Sequence, residues 1–181
     1  MNQRAIIVVD LQNEYLSSGK LPLVGLEAAL ANAKRIIAAA RAKGELLIHV
    51  RHEMNQPNAP VFVPGSEGVQ IIAAVAPAEG EPVILKNSPN SFRGTQLQSM
   101  LEARGIKDLV VLGAMSHMCI EATTRAAADF GFTVTVVHDA CATRDLEFGD
   151  TKVPAAQVHA ASMAALAFAY ASITTTDAHL A

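Results

Sequence analysis

The chain has 181 residues, of which 51% are hydrophobic, 17% charged and 4% aromatic, with no Trp. That mixture is too apolar for a disordered chain and too poor in aromatics for an all-β sandwich, and the length fits one α/β domain over residues 1–181. Fourteen Lys and Arg against 17 Asp and Glu give a formal charge of −3, which leaves no basic footprint for nucleic acid.

The amino-terminal run MNQRAIIVVDLQ predicts a first strand over Arg4–Asp10. Asp10 interrupts its apolar residues and no small-residue cleavage site follows, which argues against a signal peptide. Leu26–Lys43 is Ala-rich with helical spacing, and Gly44 stands where a C-terminal cap belongs. Strands follow over Leu46–Arg51 and Pro82–Lys86. Between them Asn55–Gly68, with three Pro and two Gly, reads as a lid or pocket rim.

Thr95–Arg104 is predicted helical and closed by Gly105, Asp108–Ala114 is a fourth strand, and Cys119–Phe130 is a helix closed by Gly131. Thr133–Ala140 is a fifth strand and Cys141–Val153 a polar excursion. Pro154–Tyr170 is a long Ala-rich helix and Ser172–Thr176 a short sixth strand. No apolar run approaches the ~20 residues of a membrane span. Two Cys cannot make a disulfide framework, and the expectation is a soluble, cytoplasmic protein.

Near-continuous apolar strands separated by helices imply a mostly parallel sheet covered on both faces, a three-layer α/β/α arrangement. Ligands in such folds bind beyond the carboxyl ends of the strands, where strand order reverses. Three chemistry-bearing residues end predicted strands or begin a helix. Cys119 lies at a strand–loop–helix junction, where the helix dipole and unpaired N–H groups favour a thiolate and an oxyanion; the alternative is a buried structural thiol. Lys86 ends the third strand and, if it points inward, needs an anionic partner; otherwise it snorkels to the surface. Asp10 ends the first strand as a candidate general base or as a loop-ordering cap. All three ends converge on one side of a parallel sheet.

The stretches VVDLQNEY, LKNSPNSFRGTQL, LGAMSHMCIEATTRAA and VVHDACAT resemble, in collinear order, the isochorismatase-like cysteine hydrolases. These include nicotinamidases, N-carbamoylsarcosine amidases, streptothricin hydrolases and the isochorismatases proper. The resemblance implies a six-stranded, Rossmann-like sheet and an Asp–Lys–Cys triad falling on Asp10, Lys86 and Cys119. It also implies a cis peptide at Ala114–Met115, which would aim the Met115 and Cys119 N–H groups at an oxyanion. Gln12, Tyr15, Phe92 and Thr95 fall on positions that border the pocket in similar proteins, and Phe62 on the irregular loop adds an apolar wall. The reaction implied is acyl transfer through a Cys119 acyl-enzyme that cleaves the C–N bond of a small amide, open-chain or cyclic. No cofactor is implied.

Departures from the family narrow the expectation. Metal-binding nicotinamidases carry an Asp-Trp-His stretch after the second strand, where this chain has Arg51-His52-Glu53 and no suitable second His. No catalytic metal is therefore expected, and His49 and His52 are read as locally hydrogen-bonded. Ser116-His117-Met118 replaces Thr-Asp-(Tyr/His), and His117 is either a substrate contact or a loop residue facing solvent. The RHE and SHMC runs lie closer to the streptothricin hydrolase branch. Cys141 is read as a packed small residue, and Asp139 as a loop-ordering one. His159 and Met163, at helical spacing, belong to the core or a subunit interface, and their Ala-rich helix fits a homo-oligomer. Competing readings are vinyl-ether hydrolysis of an isochorismate-like acid, a catalytically silent binding protein on the same scaffold, and a redox-sensing Cys119. A small-molecule substrate is the expected partner, with neither nucleic acid nor membrane.

Overall fold

The computed structural model describes residues 3–181. In chain order its elements are β1 (Arg4–Val9), α1 (Leu26–Lys43), β2 (Leu46–His52), β3 (Val83–Lys86), α2 (Leu97–Ala103) and β4 (Asp108–Ala114). A π-helical turn over Ser116–Ile120 leads into α3 (Glu121–Asp129). There follow β5 (Thr133–Ala142), β6 (Leu146–Phe148), β7 (Thr151–Val153), α4 (Ala155–Ala169), β8 (Ser172–Thr174) and α5 (Thr176–Leu180). Six strands form one sheet in the order β3-β2-β1-β4-β5-β8, and every neighbouring pair is parallel.

The layers follow from the two-residue period of a strand. Along β1, Ile6 and Val8 pack with Ala33, Ile36, Ile37 and Ala40 of α1. Ala5, Ile7 and Val9 belong to the opposite core, with Leu97 and Leu101 of α2, Ala127 of α3 and Leu166 of α4. Each fully buried Ile or Leu contributes about 2 kcal/mol. Helix α1 stops where the sequence predicts, because Gly44 takes φ 63° and its N–H closes onto the Ala40 and Arg41 carbonyls. From β1 the chain steps outward to β2 and β3, then returns to the other flank of β1 as β4. The order reverses between β1 and β4, and the crevice for a ligand opens there.

At that switch point β4 approaches β1 closely. Gly113 sits at φ 129° opposite Val9, and a Cβ on it would lie 2.0 Å from the Val9 carbonyl oxygen. Gly113→Ala is therefore expected to destabilise the fold by more than about 3 kcal/mol, because it adds a backbone clash to an unfavourable φ. Urea unfolding measures it, and a loss under about 1 kcal/mol would contradict the close approach.

Three element expectations are corrected. The helix after β3 begins at Leu97 rather than Thr95, because the Thr95 hydroxyl accepts from the Leu97 N–H (3.3 Å) and donates to the Ser91 carbonyl (2.6 Å). Cys119 lies in the π-helical turn rather than opening the α-helix, which starts at Glu121. The polar stretch after β5 is not irregular throughout: β5 extends to Ala142, and β6 pairs antiparallel with β7 about a turn at Gly149. No helix among the described residues is long and apolar enough to cross a membrane.

Candidate active site

Asp10 follows β1 directly. Its N–H is bonded to the Val50 carbonyl (2.9 Å) and its backbone takes φ 51°, a left-handed conformation that Asp tolerates better than most residues. Lys86 ends β3, in register with His52 at the end of β2. Cys119 is held in the turn after β4, whose Met115 carbonyl accepts from the Met118 (3.0 Å) and Ile120 (3.2 Å) N–H groups. The Ala114–Met115 peptide bond at the head of this turn is cis.

These three side chains meet on one nitrogen. Lys86 Nζ lies 2.7 Å from Asp10 Oδ2 and 3.3 Å from Cys119 Sγ, so the ammonium bridges the carboxylate and the thiol. A third contact, at 3.2 Å, is to His52 Nδ1. An ammonium has three donors and no lone pair, so His52 accepts on Nδ1 and carries its proton on Nε2. Burial together with the Lys86 charge pulls the His52 pKa down to about 4, which keeps the ring neutral. Asp10, Lys86 and Cys119 are all buried.

Burial governs the protonation states. It raises the Asp10 carboxyl above its ordinary value, with Lys86 pulling the other way. It pushes the Cys119 thiol up as well; the Asp10 charge adds to that rise, and Lys86 opposes it. Burial and the neighbouring carboxylate thus oppose the helix-end field, which alone would favour a thiolate. Cys141, buried within β5 with Sγ 3.4 Å from the Val137 carbonyl, is likewise raised, to about 12.

Over the thiol opens a cavity of ≈ 560 Å³, walled by Tyr15, Leu21, Met54, Phe62, Met115 and Met118. Phe62, held at φ 52°, meets both Tyr15 and His52 edge-on at 5.2 Å and so pins the irregular loop against the site. Another cavity, of ≈ 570 Å³, lies at the amino edge of the sheet around the Arg41–Glu81 ion pair and holds no nucleophile.

Of the residues expected to border the pocket, Tyr15 and Phe62 do. Gln12, Phe92, Thr95 and His117 do not line it. Gln12 is buried as a clamp: its amide donates to the His52 and Val69 carbonyls (2.9 and 2.8 Å) and accepts from the His52 N–H (2.8 Å), fixing the end of β2. Phe92 is buried, stacked on Phe132 and tilted against the half-exposed Phe130, the Thr95 hydroxyl accepts from the Leu97 N–H at the start of α2, and His117 Nδ1 pairs with the Thr143 hydroxyl at 2.7 Å. His49 is bound to Glu81 (3.1 Å) and shares no site with His52. Sequence reasoning misses the part His52 plays, and the strand register that pairs it with Lys86 is the signal that finds it. Among the described residues no three His, Cys, Asp or Glu side chains gather as a metal-binding set.

The isochorismatase family model matches residues 4–178. The chain belongs to the isochorismatase family. An uncharacterized isochorismatase family protein of Bacillus subtilis is 46% identical over 97% of this chain and 98% of its own length. A streptothricin hydrolase of Streptomyces noursei is 34% identical over 84% of this chain and 55% of its own length. A ureidoacrylate amidohydrolase of an Enterobacter species is 30% identical over 75% of this chain and 74% of its own. The crystal structure of a protein from Oleispira antarctica, assigned to the isochorismatase hydrolases, superposes with a TM-score of 0.94 at 50% identity, covering 98% of this chain and 95% of that one. These likenesses make the chain a hydrolase of the isochorismatase family.

Proposed function

We propose that this isochorismatase-family hydrolase cleaves the C–N bond of a small amide through a thioester on Cys119. The observation that carries the reading is the single Lys86 nitrogen shared by Asp10 and Cys119 beneath the cavity. As Sγ attacks the carbonyl carbon, Asp10 takes the thiol proton, so no free thiolate accumulates in the buried site. The carbonyl oxygen becomes an oxyanion, which the Met115 and Cys119 N–H groups receive. Collapse of the tetrahedral intermediate breaks the C–N bond, and Asp10 returns its proton to the departing amine. Water then attacks the thioester with Asp10 again as base, releasing the acid and restoring the thiol. Lys86 stays charged throughout and keeps Asp10 and the sulfur in register. A relative that carries the name amidohydrolase supports the choice of a C–N bond.

Mixing enzyme with a panel of primary carboxamides and quenching in acid tests it. Intact mass should show Cys119 heavier by the acyl group less one hydrogen, and Cys119→Ala should neither gain this mass nor release ammonia. Ammonia release that survives in Cys119→Ala would sink the thioester route.

A further inference from the structure

Resting on that reading, we propose that the cavity selects uncharged carboxamides with an apolar body and turns away substrates that carry a carboxylate. None of the residues lining it is Asp, Glu, Lys or Arg. Its polar groups are neutral: Asn55, Gln56 and Asn87, the Tyr15 phenol and the His52 ring. The ammonium beneath the floor is not available to an anion. It is already engaged: Lys86 Nζ is hydrogen-bonded to Cys119 Sγ and His52 Nδ1, and the Asp10 carboxylate at 2.7 Å offsets its charge.

Nearby cations are engaged or placed elsewhere. Arg51 pairs with Glu53 at 3.0 Å. Lys20 and Arg144 line a neighbouring depression of ≈ 240 Å³ together with Asp145, on the other side of Leu21 from the cavity, and neither lines the cavity itself. A carboxylate entering the cavity would shed its water beside Asp10 and gain no counter-charge, and a buried anion without a partner is costly. The walls suit an apolar guest. Three of the chain's six Met, Met54, Met115 and Met118, surround the opening, and unbranched polarisable thioethers adapt to guests of differing shape. Isochorismate, the dicarboxylate from which the family takes its name, fits neither property.

The test compares matched pairs that differ only in a distal carboxylate: benzamide with 4-carbamoylbenzoate, and hexanamide with adipamate. Binding to the Cys119→Ala protein is measured by calorimetry, so selectivity is read without turnover. The neutral members should bind, and each carboxylate should bind at least about 100-fold more weakly. In Val61→Arg, which adds a cation to the wall, that gap should close. Equal or tighter binding of the carboxylates to Cys119→Ala would overturn the proposal, and so would binding of neither member of a pair. If the neutral amides bind Cys119→Ala while wild type neither acylates nor turns them over, the amidase reading fails and the selectivity stands.

Discussion

Lys86→Met is expected to cost about 3–5 kcal/mol of stability and to reduce turnover below detection, whereas Asp10→Asn added to it should restore most of the stability and none of the turnover. The ammonium and the carboxylate are 2.7 Å apart with both side chains fully buried. Removing one partner leaves an unpaired charge in a fully buried site, and that is the expensive state; removing both leaves a near-isosteric neutral pair. Asp10 in the single variant can escape only by taking up a proton, which deprives the thiol of its base. An amide in place of the Asp10 carboxylate cannot accept the thiol proton at all, so the double variant folds without working. Urea unfolding of the four proteins gives the coupling, and amide hydrolysis gives the turnover. A loss under about 1 kcal/mol in Lys86→Met, or turnover in the double variant, would show that the pair does not hold the site as described.

What the sequence discloses of this site depends on how local the cause is. Asp10, Lys86 and Cys119 are identifiable because a parallel sheet gathers its carboxyl ends, and each residue ends a strand or follows one by a few positions. The helix capped by Gly44 and the limits of β4 follow from short-range pattern alone. Gln12 is drawn to the pocket by sequence because its partners, His52 and Val69, are 40 and 57 residues away, and a buried glutamine looks the same in sequence whether it clamps backbone or meets substrate. Phe92 turns into the core for a similar reason: its neighbours Phe130 and Phe132 arrive with a later helix and strand. The thiol departs from expectation differently. The helix-end field is local and readable, but the burial and the Asp10 charge that oppose it are tertiary.

The pH dependence separates these two accounts of the thiol. The proposed chemistry needs Asp10 ionised and Cys119 protonated at the start. Burial raises Asp10 above 3.8, so kcat/KM should fall on the acid side with a midpoint above that value, as the base becomes protonated. Cys119 is raised above 9.0, so no alkaline limb from its ionisation should appear below that pH, and the profile should be a plateau between the two. Iodoacetamide alkylation of Cys119, located by peptide mass, should be slow at about pH 7 and gain speed only beyond the ~8.5 of an ordinary thiol. In Lys86→Met the onset should move higher still, because the ammonium is the group that pulls the thiol down. Cys141, raised to about 12, should stay unlabelled and serves as the internal reference for a buried thiol. An alkylation rate that levels off with a midpoint below about pH 7 would identify a resting thiolate, return activation to the helix end and the ammonium, and leave Asp10 without its part in the first proton transfer.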